Sequence, residues 1–265
     1  MSINTNGFIC LFDKCIPIYG MCAVLGFLIS LFFLYYEARK KSDRFDDYIY
    51  LYVTIILGII IGAKTLFIII NMSNIYSDYV YAHESISFLI QKYSSGGMVF
   101  YGGMIGGIIA AMLSVRIYHF DVKRIIPKLT PACILLATFG RLGCLFTGCC
   151  YGCKTSGRLW LTYSHSFYAP NNIKLVPTQL IEIIFDLTIL VFILAIKKDF
   201  IKNNQHLVFI SSYAIFRFFL EFYRGDEYRG FISGLSISQW ISLLIIIIII
   251  LYLNKKRGIF LPCQF

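Results

Sequence analysis

The sequence predicts an all-α polytopic membrane protein of about seven transmembrane helices, with its N-terminus outside and its C-terminus in the cytoplasm. Three observations predict it. Of 265 residues, 58% are hydrophobic and 14% charged, against roughly 25% charge in a soluble domain. Apolar runs close to the roughly 20 residues that cross a bilayer recur at 16–36, 48–72, 98–118, 129–147, 176–196, 207–223 and 237–253. Lysine and arginine concentrate at alternate ends of these runs, in 39–44, 116–128, 197–202 and 255–257, and the positive-inside rule puts those ends in the cytoplasm. Topology therefore explains the net charge of +10, and no nucleic-acid partner is needed. The first run is longer than a signal-peptide core and lacks a small-x-small cleavage site, so it is expected to be retained. The chain reads as one integral membrane domain, 1–265, with 73–96 as an outer arm and 149–175 as an outer head loop.

The first span begins with Tyr19 and Gly20 at its outer mouth, where aromatic residues commonly anchor a helix among headgroups. The second carries Lys64 inside IIIGAKTLFIII, too deep for a loop charge, so it snorkels or pairs within the bundle. The arm that follows is polar and tyrosine-rich, with Ile86, Leu89 and Ile90 at helical spacing. His83 and Glu84 within it read as solvated surface. In GGMVFYGGMIGG, the glycines at 96, 97, 102, 103, 106 and 107 place small residues on successive turns, a pattern of close helix packing. Gly102 and Gly103 would also let backbone or lipid approach Tyr101 closely.

Residues 139–153, FGRLGCLFTGCCYGC, form the stretch around which the rest is organised. Arg141 closes an apolar run. An arginine at that depth costs several kcal/mol (about 3 on insertion scales) unless it meets an anion, and the planar guanidinium fork matches phosphate oxygens. The alternative is a snorkelling helix-end arginine. Four of the nine cysteines lie here, as C-x4-C-C-x2-C. An outer face would permit a disulfide, small packing residues are the other reading, and the spacing fits no common zinc finger. No metal and no cofactor are expected.

The fifth span opens with Pro177, suited to a helix start, and places Gln179, Glu182 and Asp186 along successive turns. Two acids on one membrane helix are not expected to face lipid. In the sixth span Tyr213, Arg217, Glu221 and Arg224 follow at intervals of four, four and three, which puts them on one helical face. An Arg217–Glu221 pair could serve packing alone, but the face carries more polar groups than mutual neutralisation needs.

Taken together and in order, these segments resemble the bacterial prolipoprotein diacylglyceryl transferase family. Tyr19-Gly20-Met21 is similar to its first-span motif and GGMVFYGGMIGG to its glycine-rich loop. GRLGCLFTGCCYG from Gly140 is similar to its signature, YAIFRFFLEFYR from Tyr213 to its Arg-Glu helix, and Pro177-Thr178-Gln179-Leu180 with Glu182 also matches. The resemblance implies seven helices in a bacterial plasma membrane and transfer of the diacylglyceryl group of phosphatidylglycerol to the lipobox cysteine of a prolipoprotein, releasing glycerol phosphate. It implies that Arg141 and Arg217 hold the lipid phosphate, with Tyr101 catalytic beside them. Tyr19, Gly102, Gly103, Gln179, Tyr213, Glu221 and Arg224 would bind substrate. The chain departs from the family pattern where typical members carry His at position 101 and Asn, Asn and Glu at positions 144, 147 and 149. A phenol with a pKa near 10 is a poor base at neutral pH. These departures keep open a transferase of the same lineage with another acceptor, and a non-catalytic lipid-binding protein.

Overall fold

The computed structural model describes residues 2–3, 7–11, 14–40, 44–80, 85–95, 99–196, 198–226 and 230–256. His83, Glu84, Gly96 and Gly97, singled out above, lie outside the described residues. The chain is mostly helical and divides into two compact units, residues 1–36 with 126–265, and residues 37–125. Each of the seven apolar runs contains a helix. Five helices are long and apolar enough to cross a bilayer: α1 (Ile18–Lys40), α2 (Phe45–Ile70), α6 (Val122–Thr147), α7 (Thr178–Ala195) and α10 (Ile237–Lys256). The other two, α5 (Phe100–Tyr118) and α9 (Gln205–Leu220), are shorter.

In the unit of residues 37–125, α2 and α5 pack backbone against backbone. A Cβ on Gly62 would lie 2.3 Å from the Gly102 carbonyl oxygen, and one on Gly102 equally close to the Gly62 carbonyl oxygen. One turn further, Gly106 meets Gly58 and Gly62 in the same way. Helices in an apolar solvent gain little from burying apolar surface, so close van der Waals approach has to hold them, and only glycine permits this distance. In this packing Gly102 faces Gly62 and Leu66, and Gly103 faces Ile59 and Ala63. Near the end of α5, the Ser114 hydroxyl donates to Thr54 at 3.0 Å. The ammonium of Lys64 sits 5.1 Å from the centre of the Phe67 ring. The expected arm contains two helices, α3 (Met72–Val80) and α4 (Ile86–Ser95), tied where Lys92 and the Tyr93 hydroxyl both donate to Asp78 at 2.8 Å.

In the other unit, α1 seats Gly26 against Phe139 of α6, where a Cβ would come within 2.5 Å of the ring's own Cβ. Between α6 and α7 the polar loop folds into a small head. Leu161 and Leu175 exchange backbone hydrogen bonds at 2.9 Å, and they share an apolar core with Ile3, Leu145, Tyr163 and Ala169. The strand β1 (Ser2–Ile3) pairs in parallel with β4 (Thr162–Tyr163), which ties the start of the chain to the head. The strands β2 (Phe8–Leu11) and β3 (Lys14–Pro17) form a hairpin that leads into α1. After α9 the chain tightens into a 3-10 turn, Glu221–Tyr223, and then runs extended at Arg224. A second hairpin, β5 (Phe231–Ile232) and β6 (Leu235–Ser236), precedes α10.

Candidate functional site

The site is built on one face of α7. Gln179, Glu182 and Asp186 follow at helical spacing, and each is at most 1% exposed. A carboxylate so deeply buried is costly unless cations and hydrogen bonds compensate it, and Glu182 collects both from two other helices. Arg141 of α6 pairs through Nε with one oxygen at 3.1 Å, and Arg217 of α9 donates through Nη1 to the other at 3.0 Å. The Tyr213 hydroxyl lies 3.4 Å from that second oxygen and accepts from Arg141 Nη2 at 3.3 Å. One turn along, Arg217 Nη2 reaches Glu221 at 3.0 Å. Phe185 and Phe216 stack beside this network with ring centres 3.9 Å apart.

The structure thus brings Arg141, Arg217, Tyr213 and Glu221 together. What sequence reasoning left out is the centre. From the sequence, Glu182 is an acid that faces protein and a motif match, without a place in the site; its spacing of three from Gln179 is the available signal. Two guanidiniums here meet two carboxylates, so the network is balanced in charge. Arg141 is the more accessible of the pair, its side chain 23% exposed against 11% for Arg217, and its Nη1 has no hydrogen-bond partner among the described residues. Asp186 Oδ1 is buried and likewise without a partner among the described residues.

Arg224 does not continue the α9 face, because the α-helix ends at Leu220; its guanidinium instead pairs with Asp226, donating through Nε to Oδ1 at 2.9 Å. Burial alone would lower the pKa of Arg224, but the hydrogen bonds to Asp226 outweigh it and hold the guanidinium above its usual value. Gln179 is wholly buried and spends its amide on the protein, donating to the Cys149 carbonyl at 2.8 Å. It positions the turn after α6. Tyr19 is half exposed, with its ring edge against Gly143, where a Cβ would come within 2.8 Å. Tyr101 belongs to α5, and its side chain lies outside the described residues.

The turn after α6 carries the cysteine cluster. Left-handed backbone at Gly148 (φ 80°) and Cys150 (φ 58°) reverses the chain. The reversal brings Cys144, Cys149 and Cys150 together, with their sulfur atoms all within 4.8 Å of one another. The six cysteines described, Cys22, Cys133, Cys144, Cys149, Cys150 and Cys153, are free thiols. Side chains from α7 and the head hold the turn through its carbonyls. Thr178 donates to Cys150 at 2.9 Å, Ser166 to Thr147 at 2.9 Å, and Tyr163 to Leu145 at 2.9 Å. Burial raises the pKa of the Tyr163 phenol, which suits a neutral donor.

Comparison with known proteins gives the family. The profile described as prolipoprotein diacylglyceryl transferase matches residues 8–254. The chain belongs to this family. It is 34% identical to a phosphatidylglycerol–prolipoprotein diacylglyceryl transferase of Clostridium tetani, over 90% of this chain and 92% of that protein. A second such protein, from Clostridium perfringens, is 30% identical over 91% of each chain, and one from Clostridioides difficile is 26% identical over 90% of this chain and 91% of its own.

Replacing Glu182 with glutamine keeps the shape of the hub and removes its charge, leaving two buried guanidiniums with a single carboxylate. Removing one partner of a buried ion pair costs about 3–5 kcal/mol. The variant is expected to lose stability on that scale in denaturant titration of the detergent-solubilised protein. A change below about 0.5 kcal/mol, the range of an inconsequential surface substitution, would show that Glu182 does not hold the arginines.

Proposed function

We propose that this chain transfers the diacylglyceryl group of phosphatidylglycerol to the lipobox cysteine thiol of a prolipoprotein and releases glycerol phosphate. Family membership over nearly the whole chain supports the reaction. The single observation that carries the site is the convergence of Arg141 and Arg217, from separate helices, on Glu182. In the reaction the acceptor sulfur attacks the glyceryl carbon, the bond from that carbon to the phosphate oxygen breaks, and negative charge grows on the leaving phosphate. Preorganised donors aimed at that charge lower the barrier.

Because Glu182 and Glu221 already balance the two guanidiniums, the site offers phosphate oriented N–H groups more than net positive charge. Arg141, with Nη1 unused and its side chain partly exposed, makes first contact. Arg217 is held behind it by both carboxylates, and Tyr213 keeps Arg141 turned toward the lipid. Tyr101 and Tyr19 are carried over from the family resemblance as residues near the reacting groups. Asp186 adds a buried acceptor on the same face of α7.

The enzyme works in the bacterial plasma membrane, with seven spans, the N-terminus and the 149–175 head outside, and the 73–96 arm on the same side. Support comes from the basic clusters at 39–44, 116–128, 197–202 and 255–257. Gly157→Cys should therefore take up a membrane-impermeant thiol reagent on intact cells above the level of the unaltered chain, and Lys202→Cys should not; the opposite pattern would invert the topology.

Lysine has the charge of arginine without its planar fork. Arg141→Lys should lose most of the transfer activity, measured by mass spectrometry of a lipobox peptide in phosphatidylglycerol vesicles, and Arg141→Ala should fall about 10²- to 10³-fold, as for loss of one preorganised donor. The Arg141→Ala, Arg217→Ala double variant should fall little further than either single change, because the two act as a unit. Activity within about threefold of the unaltered chain in Arg141→Ala, at equal amounts of folded protein, would remove Arg141 from the site.

A further inference from the structure

The Glu182 network does not exhaust the chemistry at this end of α6. Cys144 stands three residues beyond Arg141, on the same side of the helix. Its thiol, with those of Cys149 and Cys150, forms a group of three sulfur atoms within 4.8 Å of one another. We propose that Cys144, Cys149 and Cys150 form a three-thiolate zinc site whose fourth position takes the thiol of the acceptor cysteine; the second half of this inference rests on the transferase reading above.

Distance favours it. Thiolates placed tetrahedrally about 2.3 Å from zinc lie about 3.8 Å apart, so the three sulfurs need to close by only about 1 Å. The backbone is already fixed for this purpose. Gln179 holds the Cys149 carbonyl, Thr178 the Cys150 carbonyl, and Cys150 itself sits in left-handed backbone, which a non-glycine residue adopts uncommonly. The Thr147 hydroxyl, which donates to the Gly143 carbonyl at 3.0 Å, lies 3.4 Å from the Cys149 sulfur. Cys153, three residues on, is not part of the group, so the convergence belongs to three particular thiols.

The ligand count and burial point to a reactive site and not a structural one. Structural zinc sites are closed by four protein ligands, whereas catalytic sites supply three and leave a position for substrate. Cys144 is buried, and Cys149 and Cys150 are only half buried, which leaves one side of the group open. The site also adjoins the phosphate site on two helices at once. On α6, Arg141 and Cys144 are one turn apart; on α7, Gln179 holds Cys149 and Glu182, three residues later, holds both arginines. Three residues of helix span about 4.5 Å.

The chemistry balances without an oxidant. A free thiol has a pKa near 8.5 and is mostly protonated at neutral pH, and coordination to zinc deprotonates it. The acceptor proton passes to solvent as the sulfur binds. Its electron pair then forms the bond to the glyceryl carbon, and glycerol phosphate leaves with the pair of the broken carbon–oxygen bond. Zinc keeps its oxidation state throughout.

The test uses the full chain in detergent, reduced, and titrated with Co2+ as a spectroscopic substitute for zinc. One equivalent should bind with a near-ultraviolet thiolate-to-cobalt charge-transfer band. Cys144→Ser and Cys149→Ser should each abolish the band and Cys153→Ser should keep it. A lipobox peptide should intensify the band, and its cysteine-to-serine analogue should leave it unchanged. Absence of the band in the folded unaltered chain overturns the inference whatever the variants do. So does a band that survives loss of both Cys144 and Cys149, or one indifferent to the peptide thiol. Full-rate transfer by metal-stripped protein would also overturn it while leaving the transferase reading standing. A band that responds to the peptide in a protein that transfers nothing would support the metal site and count against the transferase reading alone.

Discussion

A carboxylate 1% exposed inside a helical membrane protein cannot stand alone, and the pairing of Glu182 governs the arrangement around it. Its desolvation has to be met by donors from more than one helix, because α7 can offer no cation of its own at that position. Arg141 comes from α6, and Arg217 and Tyr213 come from α9. In return the carboxylate fixes both guanidinium planes. Neither arginine could hold its geometry in an apolar surrounding without an anion, and Glu182 supplies it before any lipid arrives.

The same helix face organises the turn after α6. Gln179 and Thr178, at the start of α7, hold carbonyls at Cys149 and Cys150, while Glu182 holds Arg141 one turn later. The head contributes from the other side, through Tyr163 and Ser166. Its small apolar core thereby has a consequence beyond its own stability, because it keeps the end of α6 against α7. An arginine network and a thiol group are fixed by neighbouring turns of one helix.

Much of this was legible in the sequence, for a physical reason. An arginine inside an apolar run is improbable without an anionic partner, so Arg141 and Arg217 stand out in one dimension, and the spacing of four from Tyr213 to Arg217 to Glu221 survives in the helix. Elsewhere one dimension was not enough. The Arg224 expectation assumed that α9 continues, but the chain tightens at Glu221 and the fourth group leaves the face. Gly102 looked equally suited to lipid and to a neighbouring helix, and the decision for Gly62 needed the partner's backbone. Gln179 has the chemistry of a substrate ligand, and only the position of the Cys149 carbonyl shows where its amide is spent. The three thiols converge through left-handed backbone at Gly148 and Cys150, which no linear spacing rule expresses.

We propose that one carboxylate presents two arginines, from two helices, to a single lipid phosphate. It is tested most directly by an experimental structure of the chain in a phosphatidylglycerol nanodisc. The phosphate is expected within about 3 Å of Arg141 nitrogen atoms, with Arg217 directly behind and both guanidiniums still joined to Glu182. A bound phosphate away from Arg141, or arginines that part from Glu182 to reach it separately, would rule out a shared hub.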